Sequence, residues 1–139
     1  MLNLPVADIM NDHPIKVRPD VSIRNTAHLL LRYRINGVLV VDPQSPEGLL
    51  GIFTTEDLMY IIGDVMDKGG QKIQALNVVA ERPVSEFIDP VYPSLQKDDS
   101  ALKALALLHK KGAVTIPVFD GKILVGVVGR HDIFNIALA

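Results

Sequence analysis

Cysteine is absent from the 139 residues, which removes disulfides, thiolate metal ligands and thiol nucleophiles together. The fold must therefore rest on packing. No apolar run approaches the ~18–20 residues needed to cross a bilayer. The N-terminus carries Asp8 and Asp12 and no basic start, unlike a signal peptide, so the expected location is cytoplasmic. Charge of either sign is not concentrated anywhere: the net charge is −2 over residues 1–63 and 0 over both 64–82 and 83–139. With no basic arm and no acidic tail, nucleic acid is not an expected partner. The length excludes a large multidomain enzyme and leaves one compact domain or two very small ones. What the sequence has in quantity is apolar residues, 48% of the chain. That content argues for order and for some surface covered by a partner.

An internal repeat sets the architecture. A shift of 78 pairs Pro5-Val6 with Pro83-Val84, Asp20 with Asp98, Ser22 with Ser100, Leu29-Leu30 with Leu107-Leu108, Val40 with Val118 and Asp42 with Asp120. These are 8 identities in 38 positions, where unrelated sequences give about two or three. Beyond Asp42 the shift becomes 75 and pairs Leu49, Gly51, Asp57 and Ile61 with Leu124, Gly126, Asp132 and Ile136, so the first copy has a turn three residues longer.

Each copy predicts the same series of elements. A short helix starts at Pro5 or Pro83, whose fixed φ and missing N–H suit a first helical turn. An extended piece follows at 15–17 or 93–95, then a helix capped by the hydroxyl of Ser22 or Ser100. In the second copy that helix runs over 101–111 and stops at Gly112, with Lys110 and Lys111 at its negative end. Apolar runs at 38–41 and 116–119 read as buried strands, a turn leads to strands at 49–53 and 123–128, and closing helices cover 55–66 and 130–138. The fold class is α+β, with two β-α-β-β-α repeats at 1–66 and 83–139 joined by a linker over 67–82 that contains Gly69-Gly70. Neither copy is long enough to bury a good core alone, so the two should pack about a pseudo-two-fold axis and leave two clefts, one per repeat. On the closing helices Met59 and Phe134 are equivalent and lie off the core stripe, as do Met66 and Leu138. Their recurrence predicts a homodimer surface.

The segments most suggestive of chemistry are 51–57, GIFTTED, and 126–132, GVVGRHD. Each places a glycine on a strand and a carboxylate, Asp57 or Asp132, in the first turn of the following helix. Thr54 followed by Asp57 is also a capping box, which serves only the helix start. In the second copy Asp132 persists although Gly129 has no hydroxyl to reciprocate, and capping explains it less well. A helix start beside a strand end attracts phosphate through its free N–H groups and dipole. An ionised Asp accepts hydrogen bonds only, and its two oxygens match the adjacent hydroxyls of a ribose. A ribose-phosphate ligand follows, with Ile15, Val38 or Ile116 as apolar walls for a flat base and backbone groups near 37–39 and 115–117 to read it. His13, His28 and His109 share no metal-ligand spacing, and no metal is expected.

In order and twice over, the Pro5 and Pro83 helix starts, Ile9-Met10, Asp20 and Asp98, the segment TIPVFD at 115–120, and the 51–57 and 126–132 segments make the chain similar to a tandem pair of CBS (cystathionine-beta-synthase-type) domains. The resemblance covers 5–63 and 83–139. It implies clefts that bind adenosyl ligands such as AMP, ADP, ATP or S-adenosylmethionine, and modules that dimerise into a disc. By position it implies that Asp57 and Asp132 hold ribose, that Thr54 contacts phosphate, and that Ser94 is the hydroxyl residue of the first strand. Departures from the family pattern are Lys16 in place of that hydroxyl, Leu39 where Pro117 stands in the second copy, and Gly129 in place of Thr54's hydroxyl. Lys16, Arg130 and His131 are candidates to supply the missing contacts to phosphate, although Lys16 also reads as a solvated residue and Arg130 as a helix-surface one. The resulting expectation is a regulatory module without catalytic activity or a required cofactor, which senses an adenosyl compound and signals to an effector protein. The alternative is a structural dimerisation domain with vestigial clefts. An enzyme is disfavoured because no nucleophile with its base is found, and Glu56 and Asp57 are adjacent on a helix and point apart.

Overall fold

The computed structural model describes residues 3–69, 72–110 and 113–139. Gly70, Lys111 and Gly112, read above as linker and helix stop, lie outside the described residues. In the first half a 3₁₀ turn at Val6–Asp8 precedes β1 (Lys16–Val17), α1 (Ile23–Tyr33), β2 (Gly37–Asp42), β3 (Ser45–Thr54) and α2 (Thr55–Asp67). After α3 (Lys72–Ala80) the series repeats with a 3₁₀ turn at Val84–Glu86, β4 (Leu95–Gln96), α4 (Ala101–Lys110), β5 (Thr115–Asp120), β6 (Ile123–Gly129) and α5 (Arg130–Ala137). Each half folds as a three-stranded sheet in which the short first strand pairs in parallel with the second and the second in antiparallel with the third.

Local chemistry accounts for the starts. Ser22 Oγ accepts the Asn25 N–H at 3.0 Å and Ser100 Oγ accepts the Lys103 N–H at 3.3 Å, which satisfies one orphan donor in α1 and one in α4. The helices expected at Pro5 and Pro83 are single 3₁₀ turns. The first copy's longer turn does not loop out. Its residues extend β3 back to Ser45, which pairs with Asp42 across irregularities that absorb the extra length. The stretch read as a linker holds a helix, α3. It is tied to α1 by Arg24, which donates to Glu81 at 2.7 Å and to Asn77 at 3.1 Å, and it packs Val79 on the first core. Nothing in the second half of the chain corresponds to it among the described residues.

Packing shows why neither copy suffices alone. Val84, from the start of the second repeat, is fully buried among Val38, Val40, Phe53 and Ile61 of the first. Val6, from the start of the first repeat, is fully buried among Leu95, Ile116, Val118 and Val128 of the second. The exchange is fixed by matching backbone bonds. Val84 N–H donates to Val21 at 2.7 Å and Ile23 N–H to Arg82 at 3.0 Å, while Val6 N–H donates to Asp99 at 2.7 Å and Ala101 N–H to Leu4 at 2.8 Å. A third cluster of Leu39, Val41, Ile52 and Leu124, flanked by Tyr92 and Phe119, joins the two sheets.

Gly51 and Gly126 are equivalent in the repeat, and both face the opposite half. A Cβ at 51 would meet the Asp89 carbonyl at 2.8 Å, and one at 126 the Asn11 carbonyl at 2.8 Å. Backbone this close leaves no room for a side chain, so the glycines let the segments after each 3₁₀ turn cross onto β3 and β6, where Asp89 bridges Ile52 and Asn11 bridges Val127.

Candidate functional site

Two clefts flank the inter-sheet cluster, and each is built from both repeats. The larger, ≈ 260 Å³, sets the first turn of α5, Arg130 to Asp132, against Pro14 and Ile15 ahead of β1 and Gly37 and Leu39 of β2. Asn11, Arg34, Ile35 and Asn36 complete one side, and Val114, Thr115 and Val127 the other. The smaller, ≈ 160 Å³, sets Thr54, Glu56 and Asp57 at the start of α2 against Tyr92 and Pro93 ahead of β4. Asp89, Val91, Ile52, Ala113, Val114 and Thr115 close it. There is one cleft per helix-start carboxylate, and both lie between the repeats. The carboxylate comes from one repeat and the segment leading into the first strand from the other, because the leading segments are exchanged.

The carboxylates are held alike but not identically. Asp57 Oδ2 accepts the Thr54 N–H at 2.8 Å and the Thr54 hydroxyl at 3.0 Å, and the Asp57 N–H donates back to Thr54 Oγ1 at 3.2 Å. The capping box is thus formed in full. Asp132 Oδ2 accepts the Gly129 N–H at 2.8 Å, so the carboxylate half of the box survives without the hydroxyl. In both, Oδ2 is held by the helix start while Oδ1 takes no described bond. Capping and ligand binding are compatible, because one oxygen orients the group and the other remains available. Burial pushes the Asp132 carboxyl above its ordinary value, against opposing pulls from the Gly129 N–H and the neighbouring His131.

The other sequence-derived residues separate into two groups. Arg130 and His131 line the Asp132 cleft with Ile15. His131 packs edge-on to Phe134, with ring centroids 5.7 Å apart. Val38 and Ile116 form no wall: both are fully buried in the two half-cores. The period-2 alternation of a strand explains this, since Gly37 and Leu39, and Thr115 in β5, take the opposite face and line the clefts. Pro117 is buried on β5 opposite Val127 and lines neither cleft. Lys16, paired with Leu39 in the ladder, and Ser94, just ahead of β4, are exposed and line neither cleft.

Sequence reading missed Arg34. It is the C-cap of α1 and the one non-glycine residue with positive φ among the described residues, at φ 51° and ψ 47°. The left-handed region disfavours residues with a Cβ by about 1–2 kcal/mol. The signal was present in the repeat, because the 78-residue shift matches Arg34 with Gly112, the residue type a left-handed cap prefers.

Among known proteins, residues 6–64 and 84–139 match the family model of the CBS domain. The chain is 34% identical over 127 residues to inosine-5'-monophosphate dehydrogenase of Staphylococcus epidermidis. That match spans 87% of the chain and 22% of the enzyme's length. In structure it is similar to CBSX2 in complex with AMP, with a TM-score of 0.76 and 20% identity over 96% of each chain. It is also similar to the CBS domain pair of protein MJ0100 in complex with 5'-methylthioadenosine and S-adenosyl-L-methionine, with a TM-score of 0.76 and 22% identity over 96% of this chain and 95% of that one. At these identities the structural likeness establishes the fold.

Proposed function

The chain belongs to the CBS domain family, and we propose that it is a regulatory module that binds adenosyl compounds in its two composite clefts and passes the change to an effector protein. The observation that carries this reading is the pair of helix-start aspartates, Asp57 and Asp132. Each is oriented through Oδ2, with Oδ1 unengaged, beside a strand edge and an apolar approach segment. That geometry suits the adjacent hydroxyls of a ribose, with charge-assisted bonds contributing on the order of 1.5–3 kcal/mol each. Structural neighbours in complex with AMP, or with 5'-methylthioadenosine and S-adenosyl-L-methionine, support the ligand class.

Because each cleft draws on both repeats, a ligand bridges the halves and favours whichever relative placement it fits better. This is the physical basis for a regulatory output. The likeness to 22% of inosine-5'-monophosphate dehydrogenase supports a role beside a larger catalytic protein. A second copy of the chain is the proposed cover for the exposed apolar residues of the closing helices, with Met59 70% and Phe134 49% exposed at equivalent positions. No described helix is long and apolar enough to cross a membrane.

Thermal denaturation with AMP, 5'-methylthioadenosine or S-adenosylmethionine tests the proposal. A saturating ligand raises Tm, by about 2.7 kcal/mol of added stability at a hundredfold excess over Kd. Unchanged Tm with all three overturns the sensing role and leaves the assembly role of the Met59 and Phe134 surface.

A further inference from the structure

The two clefts share an aspartate at the helix start but differ in every charge around it. In the Asp132 cleft the other ionisable groups are Arg34, Arg130 and His131. Arg34 and Arg130 have no carboxylate partner among the described residues, as is also true of Arg32 outside the clefts, whereas Arg18, Arg24 and Arg82 pair with Asp20, Glu81 and Glu86. In the Asp57 cleft the other ionisable groups besides Tyr92 are Glu56 and Asp89, and no basic side chain lines it among the described residues. Asp89 Oδ1 is already turned to the Val91 N–H at 2.8 Å.

Like charge across a small cleft disfavours an ion strongly, and opposite charge recruits it. We propose that the clefts select adenosyl ligands by the charge of the 5' substituent: a 5'-phosphate nucleotide in the Asp132 cleft, clamped by Arg34 and Arg130, and an uncharged or cationic 5'-thio or sulfonium nucleoside in the Asp57 cleft. The inference rests on the adenosyl reading above and adds to it the class of ligand each cleft takes. Arg34 is the specificity-determining residue. Its left-handed backbone sets the guanidinium at the end of α1, where the repeat's other copy has Gly112 and no side chain to offer.

Isothermal titration of the full chain with AMP and, separately, with 5'-methylthioadenosine tests this. AMP is expected to fill one site per chain, abolished by Asp132→Ala and kept in Asp57→Ala, while 5'-methylthioadenosine binding is lost in Asp57→Ala. Arg34→Gly, which relieves the backbone and preserves folding, should weaken AMP at least tenfold. AMP filling both clefts with affinities within threefold, or surviving Arg34→Gly unweakened, overturns the charge selection and leaves the adenosyl reading intact. No binding of either compound to the wild-type chain overturns that reading itself.

Discussion

Gly37 and Thr115 meet across the junction of the two halves: a Cβ at position 37 would lie 2.6 Å from Thr115 Oγ1 and 2.9 Å from its Cβ. The two positions are counterparts separated by 78 residues. Counterparts in a two-fold arrangement approach this closely only near the axis, so the pseudo-two-fold runs between the starts of β2 and β5, with a cleft on either side. Both residues line the Asp132 cleft, and Thr115 lines the other as well. Gly37→Ala should therefore destabilise by about 1–3 kcal/mol through overpacking. Thr115→Gly in the same chain should recover most of that loss, and a double-mutant cycle by urea titration should show coupling of about 1 kcal/mol or more. Additive effects would place the axis elsewhere.

The exchange of leading segments makes a symmetric prediction. Val6→Ala and Val84→Ala each remove a fully buried branched side chain from the core of the opposite repeat. Each should lower stability by about 2 kcal/mol. Both should act on one cooperative transition, since the two cores cannot form independently. Separate transitions for the halves in denaturant titration would contradict the interlock.

Arg34→Gly is expected to stabilise the apo protein even as it weakens nucleotide binding. The left-handed penalty removed is about 1–2 kcal/mol and the added chain entropy opposes by about 0.5–1 kcal/mol, which leaves between about 0 and about 1.5 kcal/mol in favour of glycine. A lower Tm for the ligand-free variant would mean that the guanidinium holds the apo cleft together.

Two aspartates give opposite pH signatures. Burial raises the Asp132 carboxyl above its ordinary value, so the native state holds that proton more tightly than the unfolded chain. Its ionisation therefore subtracts stability as pH rises from the ordinary carboxylate value through the raised one. Asp99 is lowered, first by the Gln96 N–H, at 2.8 Å, with Lys103 assisting. Its contribution is present above the ordinary value and disappears as pH falls through the lowered one. Asp132→Asn keeps an acceptor for the Gly129 N–H, so its stability relative to wild type should improve as pH rises from the ordinary carboxylate value through the raised one. Asp99→Asn should lose relative stability as pH rises through the acid range from the lowered value to the ordinary carboxylate one. Urea titrations across that range read both, and parallel curves for either variant would refute its assignment.

The exposed Met59 and Phe134 pair calls for a test of assembly. Met59→Glu with Phe134→Glu should convert a dimer to monomer in sedimentation velocity, because a charge buried in an apolar interface is strongly unfavourable. A wild-type chain that sediments as a monomer at all concentrations would refute self-association through these helices.

By itself the sequence determined the repeat, the family, the order of strands and longer helices within each repeat, and the capping serines, Ser22 and Ser100, but not α3 in the stretch read as a linker. These follow from local chemistry and spacing, and two copies read the same pattern twice. It also marked Asp57 and Asp132, whose place at a helix start is a matter of three neighbouring residues. Only the tertiary structure decided that Val6 and Val84 trade cores and that each cleft takes its carboxylate and its approach segment from different repeats. Those contacts join residues far apart in the chain, and no periodicity encodes them. The same holds for the clefts' walls. Val38 and Ile116 are as apolar as a base-binding wall would be, and only the orientation of each sheet on its core turned them inward and left Gly37, Leu39 and Thr115 lining the clefts. Arg34 joined the site because the left-handed turn after α1 carries it there, a backbone conformation that an arginine does not advertise.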